Sequence, residues 1–156
     1  MAVTLLLIAV IVVIAAVAGS SYRKKLIGSG QIVNRRAGFE EYAEILTIKE
    51  MPFSQVESAL RSGNYYGKAN LVTNSAKQAI GFNGAGWSAQ LFHMNDSDRN
   101  AYCFEFIKWQ SRNGIPYEAL AMNTVLTAVE KVFLGLDPGT QVSTKKVEVT
   151  TKSHFF

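Results

Sequence analysis

The chain has 156 residues, of which 48% are hydrophobic and 18% charged, a balance that excludes a disordered polymer. A single cysteine and two histidines exclude a disulfide framework and a multi-cysteine zinc site, and no cofactor is implied. The net charge of +4 is confined to the first quarter: Arg23, Lys24, Lys25, Arg35 and Arg36 stand against Glu40, while residues 41–156 balance 11 basic against 11 acidic side chains. A nucleic-acid binder carries its basic excess on the folded surface, so the composition argues against nucleic acid as a partner.

Residues 1–18, MAVTLLLIAVIVVIAAVA, contain no charged side chain. Extended by Gly19–Tyr22, the run is long enough as a helix to cross a hydrocarbon core of roughly 30 Å. Tyr22 then falls at the interface, and Arg23, Lys24 and Lys25 follow at the head-group level. Residues 1–22 are accordingly expected to form one transmembrane helix, a signal-anchor, with the following domain on the cytoplasmic side by the positive-inside rule. The alternative is an exported soluble domain. Ala16-Val17-Ala18 before Gly19 fits a signal-peptidase site, but the basic cluster just beyond it opposes translocation.

Residues 23–38 form a basic connector. Gly28-Ser29-Gly30 predicts flexibility, and Arg35 and Arg36 are candidates, with Tyr22, Arg23, Lys24 and Lys25, for contact with an anionic membrane surface. Residues 39–156 are expected to be the folded domain. Ile45–Lys49 is read as extended. Pro52 opens a short helix whose apolar stripe is Phe53, Val56, Ala59 and Leu60, stopped by Ser62-Gly63-Asn64.

Candidate strands follow at Lys68–Thr73, Lys77–Asn83, Trp87–Met94 and Ala101–Gln110, the last two joined by the polar NDSDRN turn as a hairpin. Strict alternation in Ala101–Gln110 puts Tyr102, Phe104 and Phe106 on one face, with Cys103, Glu105, Ile107 and Trp109 on the other. After Asn113-Gly114, Pro116 is expected to open a long helix over 116–134. Tyr117, Leu120, Ala121, Val125, Ala128, Val132 and Phe133 form its apolar face, and Glu118, Asn123, Thr127, Glu130 and Lys131 its wet side. Lys145–Lys152 alternates charged and β-branched residues, as an edge strand does. The predicted architecture is α+β: a mainly antiparallel sheet of about 4–5 strands, covered by one long and one short helix and preceded by a single transmembrane helix.

No catalytic constellation stands out. The hairpin register sets position 93 opposite 102, which puts His93 and Cys103 on opposite faces, so Cys103 reads as a small buried hydrophobe. Asp96 and Asp98 lack the glycine and glutamate spacing of a calcium loop. Phe82 and Trp87, beside the glycines of GFNGAGW, are candidates for a partner contact at a loop rim. Glu105, within an apolar strand, calls for a partner such as Lys108 or Arg112. The functional expectation is a membrane-anchored, non-catalytic interaction or assembly module facing the bilayer and a protein partner. Its rival is a ligand-binding or enzymatic pocket between sheet and long helix near Cys103, Glu105 and Trp109.

Overall fold

The computed structural model describes residues 16–95 and 100–147, and the backbone of 152–154. Most of the expected membrane span, with the Asp96 and Asp98 turn, lies outside the described residues. The chain divides into two units, 1–34 and 35–156.

In the first unit, helix α1 is described over residues 16–28. It runs unbroken through Arg23, Lys24 and Lys25, all exposed, so the basic cluster rides on a helix and not on a flexible connector. Gly28-Ser29-Gly30, expected to be flexible, forms a helix stop. Gly30 adopts φ 69°, its N–H donates to Ile27 O at 2.9 Å, and the Gln31 N–H donates to Leu26 O at 2.9 Å. This is the paired 5→2 and 6→1 closure of a Schellman cap, which requires a left-handed residue where glycine sits.

The second unit starts at Arg35, slightly before the expected boundary at 39. It is α+β, built on a large, mainly antiparallel sheet. Strands β1 (Tyr42–Thr47), β2 (Asn70–Asn74), β3 (Ala79–Gly84), β4 (Trp87–His93), β5 (Ala101–Arg112) and β7 (Gln141–Lys146) lie in the order β2-β3-β4-β5-β1-β7. Two short strands, β6 (Ile115–Pro116) and β8 (Lys152–His154), also pair with β5. The sheet is therefore larger than the four or five strands expected. The additional strands come from segments too short to carry a periodic signal.

Pro116 does not open the long helix. Asn113 and Gly114 both take positive φ (51° and 77°), the geometry of a tight hairpin turn, and Pro116 pairs back onto Ser111. The helix α3 follows at Ala119–Leu136. The short helix α2 is Phe53–Arg61, with extended Pro52 as its N-cap residue. Of the strand expected over Lys145–Lys152, residues 148–151 lie outside the described residues; β7 begins earlier, at Gln141, and ends at Lys146, and β8 pairs parallel with Trp109–Ser111 of β5.

Both helices contribute to one core over one face of the sheet. Val56 and Leu60 of α2 join Met122, Val125, Leu126, Val129 and Phe133 of α3 against Leu46, Ile80, Phe82, Leu91, Tyr102 and Phe104. Edge-to-face ring contacts run through it, Tyr65–Phe82, Phe82–Phe104, Phe104–Phe106, Trp87–Phe106, Phe39–Phe106 and Tyr102–Phe133, with centroids 5.3 to 5.9 Å apart. Such pairs add about 0.5–1.5 kcal/mol each beyond area burial. Among the described residues, Ala119–Leu136 is the helix long and apolar enough to cross a membrane, but residues 121–129 are buried without interruption, as in a core helix.

The alternation of β5 breaks at a bulge. Ser88 pairs with Lys108 and Ala89 with Phe106, so Ile107 is the extra residue. Ile107 and Lys108 both face outward, and Trp109 returns to the helix-covered side. Trp109 thus leaves the face shared by Cys103 and Glu105, to which strict alternation assigned it.

Candidate functional site

The polar centre of the domain is assembled from three separate segments. Glu44 in β1 shares a face with the core residue Leu46, so its carboxyl is directed under α3. Asn123, Thr127 and Glu130 recur at i, i+4 and i+7 and form one stripe along α3. Arg35, just before the 3-10 turn at Phe39–Glu41, places its guanidinium between them. Nη1 donates to Glu44 Oε1 at 2.7 Å, Nη2 to Glu130 Oε2 at 2.5 Å, and Nε to Asn123 Oδ1 at 3.1 Å. Thr127 Oγ1 donates to the same Asn123 oxygen at 3.0 Å and accepts from Nη2 at 3.4 Å. The side chains of Arg35, Glu44 and Glu130 are 11%, 7% and 18% exposed.

One guanidinium faces two carboxyl groups in a site shielded from water. Burial is the main cause that raises the Glu44 pKa from 4.5 to about 8. The charge of Glu130 and a hydrogen bond with its carboxyl add to this, and Arg35 opposes it. No donor among the described residues reaches Glu44 Oε2, which is buried, so the charged form of this carboxyl is the costlier one. Arg35 thus faces two carboxyl groups, of which Glu44 holds its proton more tightly than a free glutamate does. Removing one member of such a buried set costs on the order of 3–5 kcal/mol, because the remaining charge is stranded. Chemically the arrangement ties β1 to α3 and fixes Arg35 at the entrance of the domain.

The signal for this site is present in the sequence but points the wrong way when read locally. Asn123, Thr127 and Glu130 form a polar stripe at helical spacing, which reads as the wet side of α3. Asn123 and Thr127 are instead buried, because Arg35 covers them. Tyr117 and Leu120, expected on the apolar face, are exposed.

The other candidate residues do not converge. Phe82, Trp87 and Trp109 are buried core rings. The Trp87 Nε1–H is buried without an acceptor among the described residues. A crevice of about 10 Å³ beside it, lined by Gly86, Trp87, Trp109, Gln110, Tyr117 and Met122, among others, has room for about one water-sized group. Glu105 is paired across the outer face with Gln90, whose Nε2 donates to Oε1 at 2.7 Å, and not with Lys108 or Arg112. Cys103 is a buried free thiol between Ile45 and Phe92. Burial and the Glu105 charge raise its pKa to about 11, with Lys145 opposing, so it is no thiolate at neutral pH. His93 lies opposite Tyr102 as the hairpin register predicts, with ring centroids 5.0 Å apart.

Tyr22, Arg23, Lys24 and Lys25 are exposed on α1, where Arg23 Nη2 donates to Asn34 Oδ1 at 3.2 Å. Of the two arginines expected at a lipid surface, Arg35 is engaged inside the domain, and the Arg36 guanidinium lies 3.3 Å from the Tyr42 ring centroid.

Comparison with models of known protein families gives no match, and neither do comparisons with curated proteins and with solved structures.

Proposed function

We propose that the chain is a single-pass membrane-tethered protein whose α+β domain works on the cytoplasmic side as a non-catalytic interaction or assembly module. The observation that carries this reading is the uncharged run over residues 1–18, followed by Tyr22 and Arg23-Lys24-Lys25. The unbroken helix through the basic cluster supports it, since three cations on one rigid turn suit the boundary between hydrocarbon and head groups. The domain's buried ionisable groups support the interaction role. Arg35, Glu44 and Glu130 bind one another, and the Cys103 thiol is held protonated. Residues Cys103, Glu105 and Trp109, the basis of the rival pocket reading, sit on two different faces of β5.

The mechanism is confinement. A tether limits the domain to a thin layer at the bilayer and raises its effective concentration toward anything else held there. Alkaline carbonate washing of membranes, combined with protease added from outside, tests the reading. The expected result is full-length chain in the pellet with residues 35–156 protected. Release into the supernatant, or a mature mass beginning at Gly19, would overturn it.

A further inference from the structure

The glycines of the GFNGAGW segment seat two polar side chains. Gly84 pairs with Trp87 across the β3–β4 turn, and a Cβ there would overlap Nε1 and Cε2 of the indole. The ring edge that bears the N–H therefore lies on the Gly84 backbone, beside the turn. Gly86, at φ 74°, lies under the Gln110 side chain, where a Cβ would stand 2.9 Å from Gln110 Oε1. The Gln110 backbone N–H donates to Gly86 O at 3.0 Å, which holds β5 against the same turn. Trp87 is 4% exposed, and its indole N–H has no acceptor among the described residues.

The crevice of about 10 Å³ adjoins this ring, with Gly86 in its wall. Trp87, Trp109 and Met122, all buried, form its floor, while Gln110 and Glu118, both exposed, line its mouth. The volume holds one water-sized group and no ring or branched side chain. An indole N–H donates and cannot accept, so the occupant must offer a lone pair, and leaving the buried donor unmet is costly. Glu118 is also the N-cap residue of α3 and supplies no side-chain cap. The positive end of an 18-residue helix therefore adjoins the mouth and favours an oxygen over an apolar group. The Glu118 carboxylate at the same mouth opposes a full anion, and the Gln110 amide offers a second hydrogen-bonding partner.

We infer that this crevice is a binding site for one neutral oxygen acceptor, a water or an amide carbonyl, held on the Trp87 indole N–H. The donor selects oxygen, the volume selects a single group, and Glu118 selects against carboxylate and phosphate. Water and carbonyl present the same lone pair to the same N–H. The carbonyl source rests on the interaction-module reading, in which the backbone of a partner offers it. The water source does not, and the site itself holds whether or not residues 1–22 lie in a bilayer.

The test is nuclear magnetic resonance on the full chain in detergent, with nitrogen-labelled tryptophan and N-methylacetamide as the carbonyl probe. The sequence has two tryptophans, so the two indole N–H signals are assigned through Trp87→Phe or, if that chain does not fold, through Trp109→Phe. The Trp87 indole proton should show a cross-peak to a long-lived water and slow exchange with solvent. N-methylacetamide that abolishes this cross-peak and shifts the signal saturably assigns the acceptor to a carbonyl source; a cross-peak that survives the probe assigns it to a resident water. Sodium acetate at the same concentration should leave the Trp87 signal and its cross-peak unchanged. A Trp87 indole proton with neither a water cross-peak nor a response to N-methylacetamide would overturn the inference. So would displacement of the water by acetate, or the same cross-peak appearing on Trp109 in the Trp87→Phe chain. Membrane washing and protease protection decide the tether separately, so the site and the tether fail independently.

Discussion

Arg35 and Glu44, at the entrance of the domain and on its first strand, meet through a 2.7 Å contact beneath α3, where Glu130 supplies a second carboxyl to the same guanidinium. Two acids on one buried cation make the site a proton store, and its behaviour with pH follows.

The Glu44 pKa is raised from 4.5 to about 8, so between these values the folded chain holds a proton that the unfolded chain has released. Stability from this group is fully present below about pH 4.5 and is lost as pH rises through 8, amounting to a few kcal/mol. Urea unfolding from pH 5 to pH 9 should show the midpoint falling with pH. In Glu44→Gln, which mimics the protonated acid, that component of the slope should vanish. Arg35→Ala should lower stability by about 3–5 kcal/mol at pH 7, because two carboxyl groups then face each other without a cation.

The bulge at Ile107 makes a second expectation that strict alternation would not. Trp109 is 4% exposed and Ile107 43% exposed, although both were assigned to one face by period. Trp109→Ala should cost about 3–5 kcal/mol, whereas Ile107→Thr should stay within about 0.5 kcal/mol. Denaturant midpoints at constant m-value separate the two, and comparable losses would refute the bulged register.

Gly84 and Gly81 lie in the same strand and should respond unequally. A Cβ on Gly84 would stand 2.1 Å from the Trp87 indole, while one on Gly81 would meet only Val72 O at 3.7 Å. Gly84→Ala should therefore destabilise by about 1–3 kcal/mol through displacement of the ring, with a change in tryptophan fluorescence. Gly81→Ala should be close to neutral.

Cys103 provides a probe of opening. With its pKa raised to about 11 and its sulfur buried, it should react with a thiol reagent at pH 8 far more slowly than a free cysteine. Addition of denaturant should restore the ordinary rate in step with loss of structure. Rapid labelling of the folded chain would show that the outer face around Ile45 and Phe92 does not shield it.

Much of the fold was legible in the residues. The 87–94/101–110 hairpin, with His93 opposite Tyr102, follows from two β-rich runs around a polar turn. Helix α2 follows from its apolar stripe after Pro52, and the bulk of α3 from a long run of helix formers. Less of the site was legible. Period alone cannot reveal an extra residue in β5, since a bulge depends on how β4 lies beside it. The turn at Asn113-Gly114 was read correctly, but its consequence, a two-residue strand at Pro116, depends on β5 continuing to Arg112.

Composition and order along the chain determined the α+β class, the confinement of charge to the first 40 residues, and the helical and extended segments, because these depend on neighbours in sequence. Tertiary structure alone decided that Asn123, Thr127 and Glu130 face a guanidinium and not water, that Trp109 is core, and that β2 is an edge. Each depends on residues that the fold, and not the neighbouring sequence, brings alongside, and burial is set by those partners, not by the local pattern.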